Sequence, residues 1–331
     1  MKALVYTGAE RVELRDVPDP EPGEGQSVLE VEAVGICGSD MHAFLGHDER
    51  RPPPLVLGHE AAGTVVAGPL QGRRVAVNPL VTCGVCAACR AGRTNICADR
   101  QIISMPPREG AFAEKLGMPV RNLLEIPADF PAEKAALAEP IACGWHAVRL
   151  AAPVAGRPLA EARAAVLGGG AIGLGAALVL AHRGVPEIFI AETNPLRHET
   201  LRAAGPFTVY DPRTDAGPAP GSVDLTVDAF GGAATRQAAS ALARPGGVIV
   251  HIGLAEAEGG LDIRRMTLQE ITFIGTYTYS ESDYRETLAA IVAGHLGPLD
   301  WTESRPLAAG PEAFADALQG RTAAAKIVLR P

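Results

Sequence analysis

Residues 163–173 read Arg-Ala-Ala-Val-Leu-Gly-Gly-Gly-Ala-Ile-Gly, and this stretch decides the fold. Ala164, Ala165, Val166 and Leu167 make a short apolar strand of the kind found inside a sheet. Gly168, Gly170 and Gly173 then stand as G-x-G-x-x-G at the mouth of a helical pattern over residues 172–183. The first glycine permits a tight turn, the second lets a pyrophosphate approach the backbone, and the third lets helix and strand pack closely. Ala171 and Ile172 open the helix, whose first N–H groups and positive dipole end suit phosphates. A glycine-rich turn used only for packing is the bland alternative. The strand before it and the helix after it favour a dinucleotide site.

Reading outward, residues 187–191 form a second strand and residues 195–204 a helix with proline in its first turn. Strand patterns follow at 223–229, 247–252 and 271–277, with a helix near 233–243. This alternation predicts a parallel sheet covered on both faces. Glu192 closes the second strand where an acid would hold the adenosine ribose hydroxyls, which favours NAD over NADP; Arg197, Thr193 and Asn194 pull the other way. The first 140 or so residues differ in texture, with short β runs at 2–6, 27–36, 63–66 and 74–77 among prolines and glycines. Beyond residue 280 a helix at 283–294 and a strand at 325–329 are expected to return to that first domain. The fold class is therefore α/β: an irregular β-rich domain at 1–141 and 280–331, and a doubly wound parallel-sheet domain at 142–279.

A chain of 331 residues is long enough for two cores. Its formal charge of -8 argues against nucleic acid, which needs clustered Lys and Arg, and leaves a small molecule as the partner. The longest apolar stretch, 164–181, is the glycine loop and its helix, so no membrane span is expected. Residues 1–6 read as a strand rather than a leader, which points to the cytoplasm.

Four of the six cysteines, Cys83, Cys86, Cys89 and Cys97, fall in the order C-x2-C-x2-C-x7-C. Thiols spaced by pairs curl around one point, and Cys97 returns after the loop 90–96 to close a tetrahedron suited to Zn(II) or an iron centre. A ferredoxin run would place its last cysteine after three residues, before proline; here Ala98 follows. Disulfides are the alternative, disfavoured in a reducing compartment. Zinc with all four positions filled by protein is structural.

A second set of donors lies upstream. Gly35-Ile36-Cys37-Gly38-Ser39-Asp40-Met41-His42 and Gly58-His59-Glu60 offer soft and borderline ligands, with Cys37 and His59 the first two candidates for a catalytic zinc. Taken with the four-cysteine run, Ala138-Glu139-Pro140 and the glycine loop in this order, these motifs make nearly the whole chain resemble the zinc-dependent medium-chain alcohol dehydrogenases. Within that family it is most similar to the sorbitol and polyol dehydrogenase branch.

The resemblance implies a GroES-like catalytic domain, a Rossmann domain and two zinc ions per chain. It places Glu139 where simple alcohol dehydrogenases have a second catalytic cysteine, and makes Glu60 the alternative carboxylate; either could bind zinc while the other holds a water. Ser39 resembles the start of a proton relay and His42 its solvent end, while Asp40 would orient His59. Ser39-Asp40 can also be read as a helix N-cap, and Cys143 as an unligated core thiol. The coenzyme residues it implies are Gly168, Gly170, Ala171, Ile172, Gly173, Glu192 and Arg197, with the backbone of Ile252, Gly253, Leu254, Thr276, Tyr277 and Thr278. The implied activity is NAD-dependent oxidation of a polyol or other secondary alcohol to the ketone. Ala43 and Thr278-Tyr279 replace two of the branch's polar handles, implying a roomier pocket. A threonine-dehydrogenase-like or simple secondary-alcohol enzyme and an inactive nucleotide-binding protein are the competing readings. A homodimer or homotetramer is implied, with residues 271–277 as a sheet edge able to pair with a second copy.

Overall fold

Arg163–Leu167 lies inside a six-stranded sheet in the computed structural model, which describes residues 1–331. The order across the sheet is Phe207–Tyr210, Glu187–Ala191, Arg163–Leu167, Val223–Asp228, Ala243–His251, Thr272–Gly275, and every pair is parallel. Chain order reverses beside Arg163–Leu167, and in such sheets ligands bind outside the strands' carboxyl ends at that reversal. Val223–Asp228 is buried at every position, as a strand covered on both faces must be.

Several elements depart from the sequence expectation. Phe207–Tyr210 was not anticipated; it is a four-residue strand with one exposed position. The helix expected at 195–204 divides into a 3-10 turn, Pro195–Arg197, and an α-helix, His198–Ala204, because Asn194 Oδ1 caps the turn by accepting from Leu196 N–H. The last strand stops at Gly275, and the chain bends at Thr278 with φ +46°. The largest omission is Ala138–Ala151, a helix buried almost throughout. It shows no polar face, and Pro140 and Gly144 disguise it; proline is tolerated because first-turn N–H groups have no helical partner.

That helix joins the domains. It packs against the coenzyme-loop helix Ala171–His182 so closely that a Cβ on Gly144 would lie 2.6 Å from Ala176 N, and one on Gly175 would lie 3.1 Å from Ile141 Cα. One apolar cluster runs from Ala33, Ala62 and Ala76 through both helices to Val166 and Val250 of the parallel sheet. Gly144→Ala should force the helices apart and lower stability by about 1–3 kcal/mol. An unchanged thermal midpoint in calorimetry would show that the contact is not tight.

In the first domain, Gln26–Gly35 is flanked by Glu60–Ala67 and Lys326–Arg330, both antiparallel to it. The returning strand expected near residue 325 is thus present. Gly35 pairs with Glu60 on one side and with Val328 on the other, which brings Glu60 and Lys326 to the strand end that leads into Cys37.

Candidate active site

Cys37 is the N-cap of the short helix Gly38–Phe44. Asp40, fully buried, accepts the Cys37 N–H at 3.0 Å through Oδ2 and the Gly58 N–H at 3.2 Å through Oδ1. The cap is therefore Cys37 and not Ser39 or Asp40; Asp40 closes the capping box from the third helical position. Asp40 Oδ1 also lies 3.4 Å from His59 Nδ1, and Ser104 Oγ lies at the same distance from that nitrogen. One carboxylate thus ties the Cys37 loop to the Gly58-His59 turn and leaves His59 Nε2 as the ring's second donor atom.

The ligand atoms of Cys37, His59 and Glu60 lie within 4.8 Å of one another, and Glu139 is outside that set. Glu139 Oε1 instead accepts a 2.8 Å hydrogen bond from the buried Tyr279 hydroxyl. Burial raises the Glu139 carboxyl to about 7, with the negative charge of Glu60 adding to the rise and His59 and the Tyr279 bond opposing it. Glu60 has a different environment. Its Oε1 accepts from the buried Lys326 Nζ at 2.6 Å, and Lys326 also donates to Ile36 O at 2.8 Å. Its Oε2 is buried without a partner. Burial pulls the Lys326 ammonium down, but Glu60 and Cys37 outweigh it, so Lys326 stays charged. Burial likewise works against a charged His59, yet Asp40 and Cys37 hold its pKa well above the ordinary value.

This donor set fits zinc. A thiol, an imidazole and a carboxylate converge with a place left open, and the orphaned Glu60 oxygen is a buried acceptor that a cation would satisfy. Cys143 stays apart: it is buried, with Sγ 3.9 Å from Glu139 O, and burial pushes its thiol well above the usual range.

Ser39 and His42 lie three residues apart on the same helix, both half-buried and not bonded to each other. Ser39 Oγ meets Arg51 Nη2 at 3.4 Å. Ala43 is packed in the apolar core, 1 % exposed, so it opens no space for substrate, contrary to the expectation of a roomier pocket at that position.

The four sulfurs of Cys83, Cys86, Cys89 and Cys97 lie within 4.8 Å of one another, and all six cysteines are free. Cys83 Sγ is 3.5 Å from Cys97 Sγ and 4.0 Å from Cys89 Sγ. Those separations bracket the edge of about 3.8 Å that a tetrahedron with metal–sulfur bonds of about 2.3 Å requires. The Cys89 N–H donates to Cys86 Sγ and pulls that thiol down to about 6.

The coenzyme-type residues gather at the carboxyl ends of the parallel strands. Gly168 takes φ +101°, a Cβ on Gly173 would lie 1.8 Å from Gly168 O, and a Cβ on Gly170 would meet nothing within 4 Å. The turn, the packing and the open approach read from the sequence are all present. The Ala171–His182 helix starts directly at the loop, with Ile172 in its first turn. Glu192 is buried, accepting from Gly169 N at 2.9 Å and Asn194 N at 2.7 Å, while Arg197 Nη1 stands 3.7 Å away. Ile252, Gly253 and the exposed Leu254 follow the strand Ala243–His251, and Thr276, Tyr277 and Thr278 follow Thr272–Gly275. Sequence reasoning missed Lys326, Arg51 and the role of Tyr279. A lone lysine at the head of an apolar terminal strand was the available signal for Lys326.

A cradle for a dinucleotide and a metal-type cluster in one chain can together move a hydride to or from a small polar molecule, which is the work of a metal-assisted dehydrogenase. Comparison with known proteins agrees. Residues 23–128 match the Alcohol dehydrogenase GroES-like domain family and residues 171–293 the Zinc-binding dehydrogenase family. L-galactonate-5-dehydrogenase of Escherichia coli (strain K12) is 33 % identical over 84 % of this chain and 83 % of its own. Sorbitol dehydrogenase of Bacillus subtilis (strain 168) is 30 % identical over 100 % of this chain and 97 % of its own. A solved Sinorhizobium meliloti 1021 structure, described as a zinc-binding dehydrogenase bound to NADP, has a TM-score of 0.88 at 28 % identity, covering 100 % of this chain and 99 % of that one. The chain belongs to the zinc-dependent medium-chain alcohol dehydrogenase family, and within it to the polyol dehydrogenase-like branch.

Proposed function

We propose that the chain reversibly oxidises a secondary hydroxyl of a polyol or related alcohol to the ketone, with NAD as coenzyme and two zinc ions per chain. The convergence of Cys37, His59 and Glu60 within 4.8 Å carries this reading. Bound there, zinc would supply the Lewis acidity that brings loss of a hydroxyl proton into the neutral range, and the nicotinamide would accept the hydride. The protein's own groups do the rest. Asp40 fixes the ring of His59, Lys326 balances the charge of Glu60, and Tyr279 holds Glu139 beside the cluster but off it, so Glu60 is the carboxylate ligand and Glu139 the outer one. Ser39 accepts the substrate proton as it passes its own on through a bridging water or hydroxyl, and His42, three residues further along the helix, gives it to solvent. Arg51 can only donate, so it occupies an acceptor site on Ser39 and leaves the Ser39 hydrogen free for the relay.

The polyol assignment rests on the L-galactonate and sorbitol enzymes among the relatives. Residues 1–141 and 280–331 form the catalytic domain and residues 142–279 the NAD domain in this reading. Free thiols suit the cytoplasm; no helix is long and apolar enough to cross a membrane. The edge strand Thr272–Gly275, with Phe273 exposed, would pair with a second copy in a homodimer or homotetramer.

An initial-rate screen of sugar alcohols and simple secondary alcohols with NAD and NADP, with zinc counted in the same preparation, tests the proposal. Turnover of polyols with NAD and two zinc ions per chain is expected; a chain with only the cage metal and no turnover would defeat it. Glu192→Ala should shift the NADP-to-NAD preference by about tenfold or more towards NADP, since a 2′-phosphate would no longer meet a carboxylate. If kcat/KM for the two coenzymes keeps its ratio, Glu192 serves only the loop N–H groups it already holds.

A further inference from the structure

The four-cysteine lobe grips the chain just beyond the last strand of the parallel sheet. Asn95, 4 % exposed, sits in the 3-10 turn Thr94–Ile96 immediately before Cys97, and its Nδ2 donates to Tyr277 O at 2.8 Å. The guanidinium of Arg100 lies over the Tyr277 ring, 4.9 Å from its centroid. Thr94 Oγ1 accepts the Glu281 N–H at 2.9 Å. Asn95 Nδ2 also lies 3.4 Å from His146 Nε2, whose Nδ1 meets Asp283 Oδ2 at 2.7 Å, so the anchor is backed by a buried His146–Asp283 contact.

The gripped segment is under constraint from its other side as well. Tyr279 is tied to Glu139, which places residues 277–279 beside the metal-type cluster and therefore at the reacting end of the coenzyme. Between the two anchors Thr278 holds a left-handed φ of +46°, uncommon for a β-branched residue, and its Oγ1 is buried with no partner. The peptide joining Tyr277 to Thr278 is planar and trans, so turning the Tyr277 carbonyl towards Asn95 turns the Thr278 N–H the opposite way. Strain at a free hydroxyl and a directed N–H is the mark of a segment held ready for a ligand.

We infer that the four-cysteine lobe is a clasp on the coenzyme site, with Asn95 as the positioning residue that sets the Tyr277–Thr278 peptide for the nicotinamide half of the dinucleotide. This rests on the reading of residues 276–278 as coenzyme contacts. The lobe's metal, by fixing Cys97 and so Asn95, would influence coenzyme affinity as well as stability.

NADH and ADP-ribose binding to the full chain, measured for wild type, Asn95→Ala and Thr94→Val, test the clasp. Asn95→Ala should weaken the NADH Kd by about fivefold or more while leaving the ADP-ribose Kd unchanged; Thr94→Val should do the same to a smaller extent. Equal weakening of both ligands would mean general loosening and overturn the clasp, as would an unchanged NADH Kd. If Asn95→Ala does not fold, Thr94→Val decides by the same comparison. A wild-type chain that binds neither ligand would overturn the coenzyme reading itself, and the clasp with it.

Discussion

Cys37→Ser should yield a chain that binds NADH as before and no longer oxidises alcohols. Serine is a good helix N-cap, and the Cys37 N–H that Asp40 holds belongs to the backbone, so the loop and the Asp40–His59 contact survive the change. What disappears is the only soft donor in the cluster. Without it the set is an imidazole and a carboxylate, too weak and too hard to retain zinc against solvent. Removing a metal's several kcal/mol of charge stabilisation corresponds to a rate loss of roughly a thousandfold or more. Zinc should fall from two ions per chain to one, with the cage still filled. Persistent turnover in a preparation holding one zinc would reject the proposed role of Cys37.

The second large effect is expected at a residue far from any motif. Lys326 and Glu60 are both buried, at 5 % and 0 % exposure, and bonded at 2.6 Å. Lys326→Met removes the ammonium and leaves a buried carboxylate without its hydrogen-bonded counter-charge, which costs about 3–5 kcal/mol. Denaturant unfolding of the metal-free chain should show the loss directly, and Glu60→Gln in the same chain should recover most of it, because the charge that needed balancing is gone. If Lys326→Met alone unfolds at the wild-type midpoint, the pair is not a structural charge balance.

These two residues mark where sequence reasoning succeeded and where it stopped. The gathering of the cage cysteines, and of Cys37 with His59, was legible because their chemistry is local: donor types at short spacings limit what they can do. Gly168, Gly170 and Gly173 were legible for the same reason, each answering a steric demand within a few residues. The different surroundings of Glu60 and Glu139 were not legible, because they depend on partners 266 residues from Glu60 and 140 residues from Glu139. Only the sheet register that sets Lys326–Arg330 beside Gln26–Gly35 brings Lys326 to Glu60. The helix Ala138–Ala151 escaped for a different reason. Pattern reading looks for a wet face and a dry face, and this helix has no wet one. The Ala43 expectation failed because a resemblance at one position says nothing about which way the side chain faces, and here it faces the core.

The late position of Lys326 bears on how the chain is made. During synthesis the thiol, the imidazole and the carboxylate of the cluster all leave the ribosome long before the ammonium that balances Glu60, which follows 266 residues later. Over that interval the nascent first domain holds a carboxylate it cannot bury at low cost. The strand Gln26–Gly35 also lacks its neighbour Lys326–Arg330 on one side. The pocket is thus closed by a segment made 266 residues after Glu60, and metal captured earlier would sit in an open, water-exposed half-site. Assembly of this cluster in that sense waits on the strand Lys326–Arg330, which acts as its keystone.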